Sequence, residues 1–546
     1  MSDQPVVVVT GGGGGIGAAV AEELGRTGWH VVTVDPLVST DGSEPLPPSQ
    51  ETTAGRIVAA GGSAQASSAS VTDGDAVREL FDELVREHGR LDAVINVAGI
   101  SRPTSFTAGR EEDWREVLTV HLDGYRNVLA AALPIMAAAG HGRILGVTSG
   151  SGWRQADTGA YGCAKRAVAS LTWQLGRQAP AGVTINAMSP IAVTRMVTEA
   201  LARAGGGSRS ATPSGSSATG GLSLGTMPAP EQLGPTGAYL VSEAFSWCTG
   251  EVIFVGGSEV AVVDAPRLLE AARTDRAASL DHVLEAVTPG ALGPAEAHQT
   301  SNGGSNPRFG PIFDEPAAGG LPPAAVGSCA IVTDRTELAT AITKALEGRG
   351  VTCSVVPAAD VTPGFGASAA ALATVAERVG PLDAVVVALA GPAPAGDVAS
   401  DWERTLAEHA GIVEQVHADA GWARAVSDHA AAADHPIRFV ALTDAVTAGG
   451  RSRAQASAQL ARSARRATGD RVVAFPVSVE AAGQPVGDLV AHLLCSPEAP
   501  ALAGAELVAG PGWFGLRSHP RPSGSITFGG PEVPDWLDAT LRSLVR

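Results

Sequence analysis

The chain has 546 residues and a net charge of −18, with 45% hydrophobic and 4% aromatic residues, a composition that favours two or three folded domains over one domain or wholesale disorder. No Lys/Arg-rich stripe offsets the acidic balance, which excludes the electrostatic footprint of a nucleic-acid or anionic-membrane binder and leaves small molecules as the expected partners. The five cysteines (Cys163, Cys248, Cys329, Cys353, Cys495) form no CxxC pair, and there is neither a leader-like start nor an apolar run of about 18 residues, so the expectation is a cytoplasmic protein without disulfides, metal or membrane span.

The first predicted strand, Pro5-Val6-Val7-Val8-Val9, runs into Thr10-Gly11-Gly12-Gly13-Gly14-Gly15-Ile16-Gly17 and then a helix over Ala18 to Arg26. A glycine turn between strand and helix lets the backbone approach a pyrophosphate, whose charge is offset by free N–H groups and the positive end of the helix dipole. The next strand, Val31 to Val34, ends in Asp35, where a carboxylate can accept hydrogen bonds from an adenosine ribose and repel a 2′-phosphate, favouring NAD over NADP. A flexible glycine loop and an acidic loop residue are the structural alternatives. Short β-branched runs then alternate with Ala/Leu-rich helical stretches to about residue 265, the pattern of βαβ units around a parallel sheet.

Within that block, Ser149 follows the strand Ile144 to Thr148, and Tyr161-Gly162-Cys163-Ala164-Lys165 sets a phenol and an ammonium one helical turn apart. The chain has three tyrosines and two lysines, so their meeting at this spacing carries weight. An adjacent ammonium stabilises a phenolate and draws the tyrosine toward the working range of a proton shuttle, while a hydroxyl at the strand end can hold the substrate oxygen. Gly205 to Gly225 is a Gly/Ser/Thr-rich stretch expected to be mobile, and residues 290 to 325, rich in Pro, Gly, Asn and Ser, mark a linker.

A second α/β block, from about 326 to 515, repeats the first at an offset near 290 residues. Gly89-Arg90-Leu91-Asp92-Ala93-Val94 recurs as Gly380-Pro381-Leu382-Asp383-Ala384-Val385, and Asp113-Trp114 followed by His121 recurs as Asp401-Trp402 followed by His409. In this block Thr333-Asp334-Arg335-Thr336 replaces the glycine turn, Asp35 aligns near Pro357, Ser149 aligns with Asp444, and no Tyr-x-x-x-Lys follows residue 165. The block is expected to bind no dinucleotide and to be catalytically inactive. The tail from 516 reads as extended up to a short helix near Trp536 to Val545.

Taken together, the glycine turn, Asn96-Val97-Ala98-Gly99, Ser149 and Tyr161/Lys165 resemble the short-chain dehydrogenase/reductase family over about residues 5 to 265. Ser70-Val71-Thr72-Asp73, Val120-His121-Leu122-Asp123-Gly124 and Pro190-x-Ala192-x-Thr194-Arg195-Met196 look like the branch holding the (3R)-hydroxyacyl-CoA dehydrogenase units of type 2 multifunctional enzymes. The resemblance implies two tandem Rossmann-type, doubly wound parallel-sheet α/β domains: a catalytic one at 1–275, a linker at 276–325, a degenerate one at 326–515 and a C-terminal tail at 516–546. It implies catalytic roles for Ser149, Tyr161, Lys165 and His121. It also implies NAD(H) contacts at Gly11, Gly15, Ile16, Gly17, Asp35, Val71, Asn96, Ala98, Gly99, Tyr161, Lys165, Pro190 and Thr194. His121 stands where the family usually has asparagine, and its alternative is a buried structural histidine. Arg102, Arg154 and Arg195 are candidates to meet an acidic ligand such as CoA, with surface ion pairing as the alternative. The implied function is interconversion of a secondary alcohol and a ketone, with a 3-hydroxyacyl/3-ketoacyl thioester as the first substrate class, a polyketide or steroid-like ketone as the alternative, and an inactive scaffold as the remote one. The family commonly pairs through the helices carrying these residues, so the second block is expected to take the partner position in a pseudo-dimer that can dimerise further.

Overall fold

The computed structural model describes residues 4–47, 51–203, 227–274, 280–299, 326–391, 394–481, 486–530 and 532–545. The Gly205 to Gly225 stretch and residues 300 to 325 of the expected linker lie outside them. The first half runs β1 (Val6–Thr10), α1 (Gly15–Arg26), β2 (His30–Val34), α2 (Thr53–Ala59), β3 (Ser63–Ser67), α3 (Gly74–His88), β4 (Ala93–Asn96), α4 (Glu111–Leu118), α5 (Gly124–Ala139), β5 (Gly142–Val147), α6 (Gly159–Gly176), β6 (Val183–Pro190), α7 (Arg195–Arg203), α8 (Gly234–Tyr239), β7 (Val252–Gly256), β8 (Glu259–Asp264) and β9 (Leu268–Arg273). After α9 (Leu280–Val287) and α10 (Gly293–Gln299), the second runs β10 (Ser328–Val332), α11 (Thr336–Glu347), β11 (Thr352–Val356), α12 (Phe365–Val379), β12 (Ala384–Val387), α13 (Asp401–Glu408), α14 (Ile412–Ala433), β13 (Ile437–Asp444), α15 (Ala448–Thr468), β14 (Val472–Val479), α16 (Gly487–Cys495), β15 (Glu506–Gly510), β16 (Trp513–Arg517), β17 (Arg521–Thr527) and α17 (Trp536–Leu544).

Two sheets result. The first has the order β17-β8-β7-β6-β5-β4-β1-β2-β3, parallel from β3 to β7, with β8 and β17 antiparallel at one edge. Strands β1 and β4 are apolar and buried along their length, as expected for central parallel strands covered by helices on both faces. The second sheet, β11-β10-β12-β13-β14-β15-β16-β9, follows the order of β2-β1-β4-β5-β6-β7-β8, with β16 and β9 antiparallel at its edge.

The two edges are exchanged between the halves. Strand β9, which leaves the first sheet after β8, pairs with β16 of the second sheet, while β17, which leaves the second sheet, pairs with β8 of the first. The crossing segments pair with each other, Ser518 N–H donating to the Arg267 carbonyl at 2.7 Å and Arg267 N–H to Ser518 Oγ at 3.0 Å. Beyond β17, Leu537 and Leu541 of α17 sit in the same apolar cluster as Val20, Leu24 and Phe245 of the first half. In the other direction, Leu284 and Leu292, on helices between the sheets, join the core of the second half around Phe475 and Leu493.

Between the sheets α6 packs on α15 and α4 on α14. Both α6 and α15 are buried on nearly all sides, and their Ala/Ser/Gly-rich sequences allow a close approach that bulkier side chains would prevent. One apolar cluster runs from Val8, Phe81 and Trp114 through Leu171 to Trp422 and Phe439, so the two halves share a core. No helix among the described residues is long and apolar enough to cross a membrane.

Candidate active site

The order of the first sheet reverses between β1 and β4, and the loops that leave the carboxyl ends of its strands there form the crevice in which open α/β sheets bind ligands. Gly11, directly after β1, has φ +66°, and a Cβ on it would lie 2.8 Å from the Ala98 nitrogen. A Cβ on Gly17 would strike the Gly11 carbonyl, so strand and helix meet with no room for a side chain. At Gly15, φ +54°, and Gly14 the space is open, a Cβ meeting only Thr194 at 3.6 Å and Arg195 at 3.5 Å respectively. Ile16 occupies the first turn of α1, a helix of 12 residues with neither a side-chain cap nor an acid in that turn, which leaves its N–H groups and dipole for an anion. Asp35 closes the turn from β2, accepting from Gly13 N–H at 3.0 Å and Leu37 N–H at 2.8 Å. Glycines without room for a Cβ, an uncapped helix end and a carboxylate at the neighbouring strand tip fit a dinucleotide.

From β4, Asn96 accepts from Thr10 Oγ1 at 2.8 Å, and the same hydroxyl accepts from Ala98 N–H at 3.3 Å. Thr10 therefore sets the path of Asn96 to Gly99 although, as one more strand residue, it carries no sequence signal of its own. Gly99 lies against the His121 ring, where a Cβ would clash. Val71 is buried beside Gly124 at the start of α5, and Pro190 and Thr194 follow the carboxyl end of β6, with Thr194 capping α7 through Val197 N–H at 3.2 Å.

Ser149, Tyr161, Lys165 and His121 converge at the ends of β5 and α6. The Ser149 hydroxyl is near enough to Tyr161 to favour its phenolate, and it accepts from Ser151 N–H at 3.2 Å. Lys165 Nζ stands 5.6 Å from the Tyr161 ring centre and donates to the Val147 carbonyl at 2.7 Å. Thr148 Oγ1 donates to the Lys165 carbonyl at 2.5 Å, tying β5 to α6 at this level. The His121 ring stands edge-on to Tyr161 at 5.2 Å, and its Nε2 donates to the Ile100 carbonyl at 2.9 Å, which leaves Nδ1 as the bare nitrogen, buried and without a partner among the described residues.

Burial governs the protonation of all three titrating groups. It pulls the Lys165 ammonium down to about 7 and, aided by the Lys165 charge, holds His121 well below the usual imidazole range, so the imidazole is neutral. It also pushes the Tyr161 phenol above its usual value, opposed by the Ser149 hydroxyl. Desolvation rather than the neighbouring ammonium sets the direction, and Tyr161 is a protonated phenol at neutral pH.

Of the three arginines, Arg102 is engaged within its own half: it donates to the Asp41 carbonyl at 2.7 Å and to Asp113 at 3.0 Å and pairs with Glu116. Arg154 is half-buried, and Arg195 is exposed beside Gly14. Asn186 spans β6 and the chain near β7, donating to the Cys248 carbonyl at 2.8 Å and accepting from Glu251 N–H at 3.0 Å.

In the second half the corresponding strand ends hold other chemistry. Thr333 Oγ1 donates to the Ala388 carbonyl at 2.8 Å, and Arg453 of α15 reaches Asp419 through two nitrogens, at 2.8 and 2.6 Å, and the Ala390 carbonyl at 2.8 Å. A buried, paired guanidinium sits beside the end of β12.

The sequence profile of the short chain dehydrogenase family matches residues 5–204. A short-chain reductase protein, NovJ of Streptomyces niveus, is 32% identical over 260 residues, which is 47% of this chain and 94% of that protein. The chain belongs to the short-chain dehydrogenase family. It is also 33% identical over 189 residues to an acetoacetyl-CoA reductase of Cupriavidus necator, covering 34% of this chain and 74% of the relative. Similarity to a peroxisomal hydratase-dehydrogenase-epimerase of Neurospora crassa, 30% over 264 residues, spans 47% of this chain and 27% of that longer protein. Family membership makes the chain an oxidoreductase that uses NAD(P).

Proposed function

We propose that the protein reduces a ketone, or oxidises the corresponding secondary alcohol, with NAD(H), and that a 3-ketoacyl/3-hydroxyacyl thioester is its substrate class. The observation that carries this reading is the convergence of Ser149, Tyr161 and Lys165 at the end of β5, with Lys165 Nζ 5.6 Å from the tyrosine ring and β4 alone between them and the glycine turn. Similarity to an acetoacetyl-CoA reductase, whose substrate is a 3-ketoacyl thioester, supports this class.

The nicotinamide cofactor supplies the hydride or accepts it. The turn Gly11 to Gly17 would hold its pyrophosphate and Asp35 the adenosine ribose, and Val71, Asn96, Ala98, Gly99, Pro190 and Thr194 would line the remainder. Asp35 disfavours a 2′-phosphate, which makes NAD the preferred form. Ser149 orients the substrate oxygen, and Tyr161, kept protonated by burial, donates its phenolic proton to that oxygen. Lys165 stabilises the resulting phenolate, and His121 Nδ1 offers an acceptor on the far side of the tyrosine. In the second half the acids Asp334 and Asp444 and the Arg453–Asp419 pair stand where phosphate and substrate would have to bind, which supports a non-catalytic role in the partner position against α4 and α6.

NADH and NADPH titrations followed by NADH-dependent reduction of acetoacetyl-CoA, longer 3-ketoacyl thioesters and bulky polycyclic ketones test the reading. Thioester turnover with NADH bound more tightly than NADPH is expected. In Tyr161→Phe, turnover should fall by about 10²–10⁴-fold while NADH affinity stays within about twofold. Reduction of polycyclic ketones alone would move the substrate class, and absence of NADH binding would end the oxidoreductase reading.

A further inference from the structure

The two segments that border Ser149 and Tyr161 are held from the other half of the chain. The first, residues 101 to 110, runs from the end of the Asn96 to Gly99 turn to α4. Arg424, on α14, donates to four of its carbonyls: from Nε to Phe106 at 3.0 Å, from Nη2 to Ser105 at 3.0 Å and Ala108 at 2.5 Å, and from Nη1 to Gly109 at 3.4 Å. The same segment touches the catalytic helix. Thr104 Oγ1 accepts from Ala160 N–H at 3.1 Å, one residue before Tyr161, and Phe106 N–H donates to Asp157 at 2.7 Å. Gly159, at φ +52°, has Thr104 so close that a Cβ would overlap its backbone.

The second segment, residues 150 to 158, connects Ser149 to Tyr161. Gln459 Nε2 donates to the Arg154 carbonyl at 2.9 Å and Ser463 Oγ to the Ala156 carbonyl at 3.2 Å, both from α15. Irregular segments at the rim of a sheet are the first to open, because few backbone groups tie them down. Here a planar fork of guanidinium donors spans one segment and two polar side chains pin the other, so the second half adds holds on both to those within the first half.

We propose that Arg424, together with Gln459 and Ser463, makes the second half part of the ketone pocket. They are positioning residues that fix segments 104–109 and 154–158 against Tyr161 and thereby set substrate affinity. The proposal rests on the ketone-reductase reading and assigns the second half a role beyond filling a partner position. Contacts that only glue the halves together would leave KM untouched or would lower every activity in proportion to lost fold.

The test uses the full-length chain with NADH and acetoacetyl-CoA, beside an NADH fluorescence titration. For Arg424→Ala we expect KM for the thioester to rise at least about tenfold, kcat to stay within about threefold and NADH affinity within about twofold. Arg424→Lys, whose single ammonium reaches fewer carbonyls, should recover part of the KM, and the Gln459→Ala/Ser463→Ala double variant should raise KM about threefold without changing NADH affinity. An unchanged KM in Arg424→Ala, or NADH affinity falling in step with it, overturns the proposal. Should that variant fail to fold, the double variant decides by the same criterion. A wild-type chain that binds NADH but reduces none of the ketones removes the reading and the pocket assignment together, whereas normal wild-type turnover with unaltered variants removes only the assignment.

Discussion

Lys165 carries a large electrostatic cost in the candidate site. Its amine titrates near 7 because the ammonium is buried, with the Val147 carbonyl as its acceptor. In the unfolded chain the same group titrates near 10.5. Between those values the unfolded state holds a proton that the folded state has lost, so the folding penalty is complete below about pH 7 and disappears as pH rises toward 10.5. Lys165→Met is therefore expected to abolish turnover and yet raise stability at pH 6.5. The gain is on the order of 2 kcal/mol once the unpaired Val147 carbonyl is set against the relieved charge. Urea unfolding of both proteins at pH 6.5 and pH 9.5 measures this, and a variant less stable at both pH values would show that the amine is not desolvated. Such a cost is in keeping with the proton-handling role proposed for Lys165.

At the scale of elements, the β1–turn–α1 unit is where a single methyl group separates tolerated from forbidden. Gly17→Ala places a Cβ against the Gly11 carbonyl, a backbone atom that can move only if β1 and α1 part. Gly14→Ala meets nothing closer than the Arg195 guanidinium at 3.5 Å and keeps an extended φ of −167°. We expect Gly17→Ala to cost about 1–3 kcal/mol and to weaken NADH binding more than tenfold, and Gly14→Ala to stay within about 0.5 kcal/mol of wild type in stability. Equal losses in thermal melts of the two variants would remove the close-packing argument. This unit was legible in the sequence because strand, glycines and helix are contiguous, and so was Tyr-x-x-x-Lys, whose partners share a helix face. The helices over 280–299 were not legible, since Pro, Gly and Ala in that stretch look like linker and what holds them is distant in sequence: the core that buries Leu284 and Leu292, and His492 and His519, which meet Thr288 and Glu296. Nor was the protonation of Tyr161, because spacing reports the neighbouring ammonium but not the depth at which both groups lie. Arg424 was equally hidden: its partners are backbone carbonyls more than 300 residues away.

At the scale of the whole molecule, composition gives no sign that the two halves trade their last strands. Strand β17 lacks the alternation of a half-buried strand, its Arg-Pro-Ser-Gly-Ser being as polar as a loop, and its pairing with β8 continues from the crossing segments that pair at Arg267 and Ser518. The consequence is that neither half is complete alone. A chain ending at residue 274 keeps β1 to β8 but loses β17, leaving the β8 edge unpaired, and loses α17, uncovering the apolar surface that Leu537 and Leu541 fill. It also strands Arg166 of α6, fully buried beside Lys165, without Glu506 at 2.5 Å and Gln455 at 2.9 Å. Removing one partner of a buried ion pair costs about 3–5 kcal/mol before any apolar exposure is counted. Residues 1–274 expressed alone should therefore aggregate or self-associate through α6 and show less than about a tenth of the full-length NADH-dependent activity. Co-expression with residues 275–546 should restore a soluble complex, and the intact chain should unfold in urea as one transition by both fluorescence and circular dichroism. A soluble, fully active 1–274 fragment, or two separated transitions in the intact chain, would mean that the exchanged strands and the shared core between α6 and α15 contribute little, and that the catalytic half stands without its neighbour.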